Sequence, residues 1–73
     1  MEEKKLLETF GFNLKIERIK LKLSQEQLAE IVDLSKTYIS NVETAKHNIS
    51  LLNAYKLAKA VNKNIEDLLK ENT

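Results

Sequence analysis

Apolar residues recur every three to four positions along nearly the whole chain, with polar residues filling the intervals. That period belongs to helices that bury one face. Sustained alternation and the Asn-Gly or Asp-Gly turns of hairpins are missing. The pattern predicts five helices with connections of about two to six residues. A first helix runs to about Lys22, starting either near Glu3 or with Thr9 as its N-cap, and places Leu7, Phe10, Leu14, Arg18 and Leu21 on one face. Ser24 followed by Gln27 has the form of a capping box and opens a second helix with Leu28, Ala29 and Val32 inward. Asp33-Leu34 breaks the period, and Ser35 caps a third helix. Residues 45–49 form a loop. Ser50 caps a fourth helix with Leu51, Ala54, Leu57, Ala58 and Val61 inward, and Asn64 caps a short fifth holding Ile65, Leu68 and Leu69. The expected fold class is all-α, a compact five-helix bundle forming one domain over residues 1–73, with residues 1–9 as a helical extension if the first helix starts at Glu3.

Size and composition narrow the classes. Seventy-three residues lie near the lower limit for a self-sufficient core, and without cysteine neither disulfides nor thiolate metal sites can add stability. An apolar fraction of 42% is that of a folded chain. No apolar run approaches the roughly 18 residues that span a bilayer, and nothing resembles a signal peptide, so a soluble, cytoplasmic protein with no membrane partner is expected. The net charge of +1 says little, but its distribution is sorted. Residues 24–34 carry Glu26, Glu30 and Asp33 with no base, whereas residues 35–50 carry Lys36, Lys46 and His47 against the single Glu43.

The stretch "LSKTYISNVE", residues 34–43, holds the strongest chemical signal. Wound as a helix, it turns Ile39 and Val42 to one side. The other side carries Lys36, Thr37, Ser40, Asn41 and, just beyond, Thr44, with no acid among them. Asn can bond adenine bidentately, Lys can reach guanine O6 and N7, and a Thr methyl suits the thymine methyl. Helix N-termini at Gln25 and Lys36 present free N–H groups to phosphate. The second and third helices are short and joined by a tight turn, the proportions of a helix-turn-helix over about residues 25–44. Gln25 at the start, small Ala29 at the crossing, Asp33 in the turn and branched Ile39 packing back all fit that geometry.

"LSQEQLAEIVDLSKTYISNVETAKHNIS" followed by "LLNAYKLAKAVNKNIEDLL" closely resembles the phage repressor and Cro-type helix-turn-helix family, also called the XRE family, over about residues 10–69. The resemblance implies a five-helix, lambda-repressor-like DNA-binding domain. Such a domain acts as a dimeric, sequence-specific transcriptional regulator that reads a near-palindromic operator through the major groove. It makes Lys36, Thr37, Tyr38 and Asn41 the candidate base contacts. Gln25, Ser35, Ser40, Lys46, His47 and Asn48 become the candidate contacts to the DNA backbone. Arg18, a lone charge in an apolar stripe, and Glu43 occupy positions that the family commonly joins as a structural ion pair. The dimer contact is expected around Asn62 to Leu69, with Phe12 and Ile16 as further candidates. Those two residues and Ile19 form an apolar stripe opposite the main one, which either meets a partner or packs under the N-terminal extension or the last helix. Where the family favours glycine, in the turn and after helices one and three, this chain has Asp33, Lys22 and Ala45.

Within the class, a phage-type repressor, a restriction–modification controller and an antitoxin all suit the length, and the run "TYIS…VE…HNIS" resembles controller-type members most. The competing class is a protein-interaction module that keeps the fold without binding DNA. An enzyme is not expected. His47 is alone, no serine–histidine–acid set or glycine-rich phosphate loop is present, and Tyr38 and Tyr55 suit packing or phosphate contact. No cofactor, metal or small-molecule substrate is expected either.

Overall fold

The computed structural model describes residues 2–71; Met1, where the expected extension begins, and residues 72–73 lie outside the described residues. The described chain forms α1 (Glu3–Lys20), α2 (Gln25–Val32), α3 (Lys36–Glu43), α4 (Leu51–Ala60) and α5 (Ile65–Leu68). Three of the helix starts follow from one device, a serine one residue ahead. Ser24 Oγ accepts from the Gln27 N–H at 3.0 Å while Gln27 Oε1 accepts from the Ser24 N–H at 2.8 Å. Ser35 and Ser50 accept in the same way from Tyr38 and Asn53. α1 takes the longer of its two expected starts, with Thr9 inside the helix rather than capping it.

The inward stripes meet in one core containing Phe10, Leu14, Leu28, Ile39, Leu57 and Leu68 among others. Three residues expected there lie outside it, Leu7 being half-buried near the start of α1 and not part of the cluster. Leu21 is 41% exposed because it is the C-cap of α1, where the backbone leaves the helical path and the period stops placing side chains inward. Leu51 is 77% exposed because it occupies the first helical position of α4, at the rim rather than over the core. On the other face of α1, Phe12 and Ile19 are exposed and Ile16 is half-buried.

Two contacts hold α1 against the rest. At Gly11 a Cβ would run into the carbonyl oxygen of Val42 and approach that of Glu43 to 3.0 Å, so the backbones of α1 and α3 meet with no side chain between them. Two residues on, the buried Asn13 side chain donates to the carbonyls of Leu68 and Lys70 at 2.9 and 2.8 Å, fastening the end of α5 to α1. Lys5 and Glu71 add a surface pair at 3.0 Å, whose hydrogen bond raises the Lys5 ammonium pKa above its ordinary value. Among the described residues no helix is long and apolar enough to cross a membrane.

The four longer helices all terminate through a left-handed residue, and none of these residues is glycine: Lys22, Asp33, Ala45 and Asn62 have φ of 60°, 57°, 60° and 63°. The hydrogen bonds are those of Schellman motifs. Leu23 N–H reaches Arg18 O, Leu34 N–H reaches Ala29 O, Lys46 N–H reaches Asn41 O and Lys63 N–H reaches Ala58 O, at 2.8 to 3.1 Å. Asp and Asn tolerate this conformation, whereas the Cβ of Lys or Ala meets the following carbonyl. Lys22→Gly and Ala45→Gly should therefore each stabilise the fold by about 1 kcal/mol, the relief outweighing the added freedom of the unfolded chain. Urea unfolding checks this: a midpoint that stays or falls in both variants would show that these turns carry no strain.

Candidate nucleic-acid interface

The α2–α3 pair is built around a short turn. Asp33 reverses the chain, Leu34 packs against the core, and the buried Ile39 and Val42 hold α3 down by one face. That leaves Lys36 and Thr37 exposed at the start of the opposite face, with Ser40 and Asn41 half-buried along it. Thr44 lies beyond them, its hydroxyl donating back to the Ser40 carbonyl at 2.8 Å. The loop that follows adds the exposed Lys46, His47 and Asn48. Lys36, Thr37, Ser40, Asn41 and the loop residues thus form a continuous polar strip along one helix and the segment after it. Ser35 is engaged locally, its oxygen capping α3.

Behind the strip lies a buried ionic hub. Arg18 Nε donates to Glu43 Oε2 at 2.7 Å and Nη2 to Oε1 at 3.1 Å, a two-point contact between side chains that are almost wholly enclosed. Arg18 Nη1 also donates to the Leu23 carbonyl at 2.7 Å, and Gln25 Nε2 donates to Glu43 Oε1 at 3.0 Å. One ion pair therefore ties α1, the turn after it, the start of α2 and the end of α3. The only acid of residues 35–50 is withdrawn from the polar strip and neutralised, which leaves the strip with Lys36, Lys46 and His47 as its titratable groups. No buried side-chain polar atom among the described residues lacks a hydrogen-bond partner.

Two candidate residues are also engaged within the protein. Gln25 uses one amide N–H on Glu43, so its side chain is held from behind and is not a free arm. Tyr38, a candidate base contact, is half-buried; its hydroxyl accepts from Asn53 Nδ2 at 2.9 Å and its ring makes a T-shaped contact with His47, centroids 4.8 Å apart. The parts played by Asn13, Asn53 and the Leu23 carbonyl do not emerge from the sequence pattern. Asn13 carries a signal in retrospect, as a polar side chain between Phe10 and Leu14 at the edge of the apolar stripe.

Two short helices at a tight turn, the second presenting an acid-free polar face, define the helix-turn-helix class. The comparisons agree. The helix-turn-helix family HTH_3 matches residues 14–68, and the chain belongs to that family. Among curated relatives, the control protein C.SmaI of Serratia marcescens is 51% identical over 47 residues, covering 64% of this chain and 56% of that protein. The chain thus spans little more than half the length of that relative. Among solved structures, the restriction-modification controller C.AhdI from Aeromonas hydrophila superposes with a TM-score of 0.80 at 39% identity, over 85% of this chain and 94% of the other. The controller C.Esp1396I, solved as a tetramer with its natural 35 base-pair operator, gives a TM-score of 0.75 at 27% identity, over 89% of this chain and 96% of the other.

The hub carries a stability prediction. Arg18→Met leaves a buried carboxylate without its cation and should cost about 3 kcal/mol, whereas Arg18→Met combined with Glu43→Leu should recover much of that loss. Chemical unfolding of the two single variants and the double measures the coupling; purely additive losses would mean that the pair contributes nothing as a pair.

Proposed function

We propose that this chain is a sequence-specific transcriptional regulator of the restriction–modification controller kind, binding a near-palindromic operator as a homodimer through the major groove. The observation that carries the reading is the α3 face, where Lys36, Thr37, Ser40 and Asn41 lie exposed or half-exposed with the nearby Glu43 locked inward on Arg18. An acid-free row of directional donors and acceptors at a helix N-terminus suits base edges, and the relatives named above are controllers. In this reading Lys36, Thr37 and Asn41 read bases. The N-terminal ends of α2 and α3, with Gln25, Ser35 and Ser40, hold the DNA backbone on one side, and Lys46, His47 and Asn48 grip it on the other. A single α3 covers only a few base pairs, so useful specificity calls for two copies with half-sites about 10 base pairs apart. The protein acts on DNA in the cytoplasm, without cofactor and without catalysis.

Reading and holding are separable. Asn41 offers a bidentate hydrogen bond, so Asn41→Ala should cost about 1–3 kcal/mol on an operator selected from random duplexes and little on a scrambled one. Lys46 is a point charge, so Lys46→Ala should weaken both duplexes alike and lower the slope of log affinity against log salt by about one unit. Titrations of each variant against both duplexes across a salt series decide it. Equal losses for Asn41→Ala on the two duplexes, or none on either, would remove α3 as the reading helix.

A further inference from the structure

Tyr38 lies in the reading helix, yet its side chain touches two other segments. His47, against whose ring it packs at 4.8 Å with planes inclined by 65°, belongs to the loop between α3 and α4. Asn53, which donates to its hydroxyl at 2.9 Å, belongs to the first turn of α4, whose own backbone is set by the Ser50 cap. Tyr38 itself is fixed from below, half-buried against the hydrophobic core. The loop has little else to fix it. The Lys46 N–H bond to Asn41 O closes the end of α3, and no backbone hydrogen bond involves residues 47–49 among the described residues. Ile49 anchors the far end on the core, which leaves Lys46, His47 and Asn48 exposed between two pinned points.

We propose that Tyr38 is a positioning residue for DNA binding. Its ring, braced by Asn53, holds His47 and with it the 46–48 loop at a set height over α3, so that the phosphate-gripping and base-reading groups meet one register of the duplex. The inference rests on the DNA-binding reading given above. It replaces the expectation that Tyr38 reads a base edge: its hydroxyl accepts from Asn53 and its ring packs on His47 within the protein. It also predicts that a side chain without charge controls an electrostatic quantity. An ordered loop presents Lys46 to a phosphate; a disordered one leaves it in the solvent.

The test compares Tyr38→Leu, Tyr38→Phe, His47→Ala and Lys46→Ala in two measurements. In the free protein, backbone amide order parameters over residues 46–49 should fall from about 0.85 to below about 0.6 in Tyr38→Leu and equally in His47→Ala, which removes the same contact from the exposed side without touching the core. Tyr38→Phe keeps the ring but loses the Asn53 brace, and should fall between wild type and Tyr38→Leu. On scrambled duplex, Tyr38→Leu should lose about one unit of salt slope, an eightfold smaller gain in affinity per tenfold dilution of salt. Tyr38→Leu with Lys46→Ala should show no further loss beyond Lys46→Ala alone. Unchanged order parameters in both Tyr38→Leu and His47→Ala, or slope losses that add in the double variant, would overturn the proposal. If Lys46→Ala itself left the slope unchanged, the failure would belong to the DNA-binding reading, and the order parameters would still decide whether Tyr38 holds the loop. Should Tyr38→Leu fail to fold, His47→Ala supplies the order-parameter result on its own.

Discussion

The buried pairing of Arg18 with Glu43 is the interaction on which the remaining geometry depends. Taking two charges out of water is expensive, and the penalty is offset only when each finds several well-aligned partners. Here the guanidinium has the two carboxylate oxygens and the Leu23 carbonyl, and the carboxylate has Arg18 and the Gln25 amide. These partners come from α1, the following turn, α2 and α3, so the requirement to satisfy one ion pair fixes the relative placement of four segments. A hydrophobic contact at the same point would tolerate sliding. A two-point charged contact does not. The pair also shapes the surface, because the carboxylate at the end of α3 is turned inward, away from the strip that an anionic ligand would meet.

Much of this was legible in the sequence where the cause is local. Serine ahead of an apolar period specifies a helix start through its own hydrogen bond, and Ser24, Ser35 and Ser50 all act so. The short α2–α3 pair and the polar face of α3 follow from periodicity alone. Arg18 was visible because a lone charge within an apolar stripe demands a partner. The period misled at element ends: Leu21 and Leu51 satisfy it numerically but stand at a cap and a first turn, where the helix no longer points them at the core. Contacts between residues distant in sequence left no pattern to read. Nothing in the sequence around Asn13 announces the carbonyls of Leu68 and Lys70, and nothing around Tyr38 announces Asn53.

The distribution of conformational strain was partly legible as well. The absence of glycine from the turns raised the question whether those turns form at all. They do, with ordinary L-residues in the left-handed region, because the cap hydrogen bonds and the packing on either side over-determine the backbone there. The chain's one glycine is placed inside α1 instead, at a helix crossing where no side chain of any size fits.

That crossing bears on how the domain would meet a duplex of imperfect shape. With the backbones of α1 and α3 in direct contact at Gly11 and the end of α3 fastened to Arg18, α3 can neither roll nor slip toward a groove that is too wide or too narrow. The mismatch must then be taken up by the nucleic acid, through bending and changes in groove width whose energy depends on base steps that no side chain reaches. On the proposed function, rigidity on the protein side would thereby spread sequence preference beyond the pairs in contact, into the stiffness of the DNA between them.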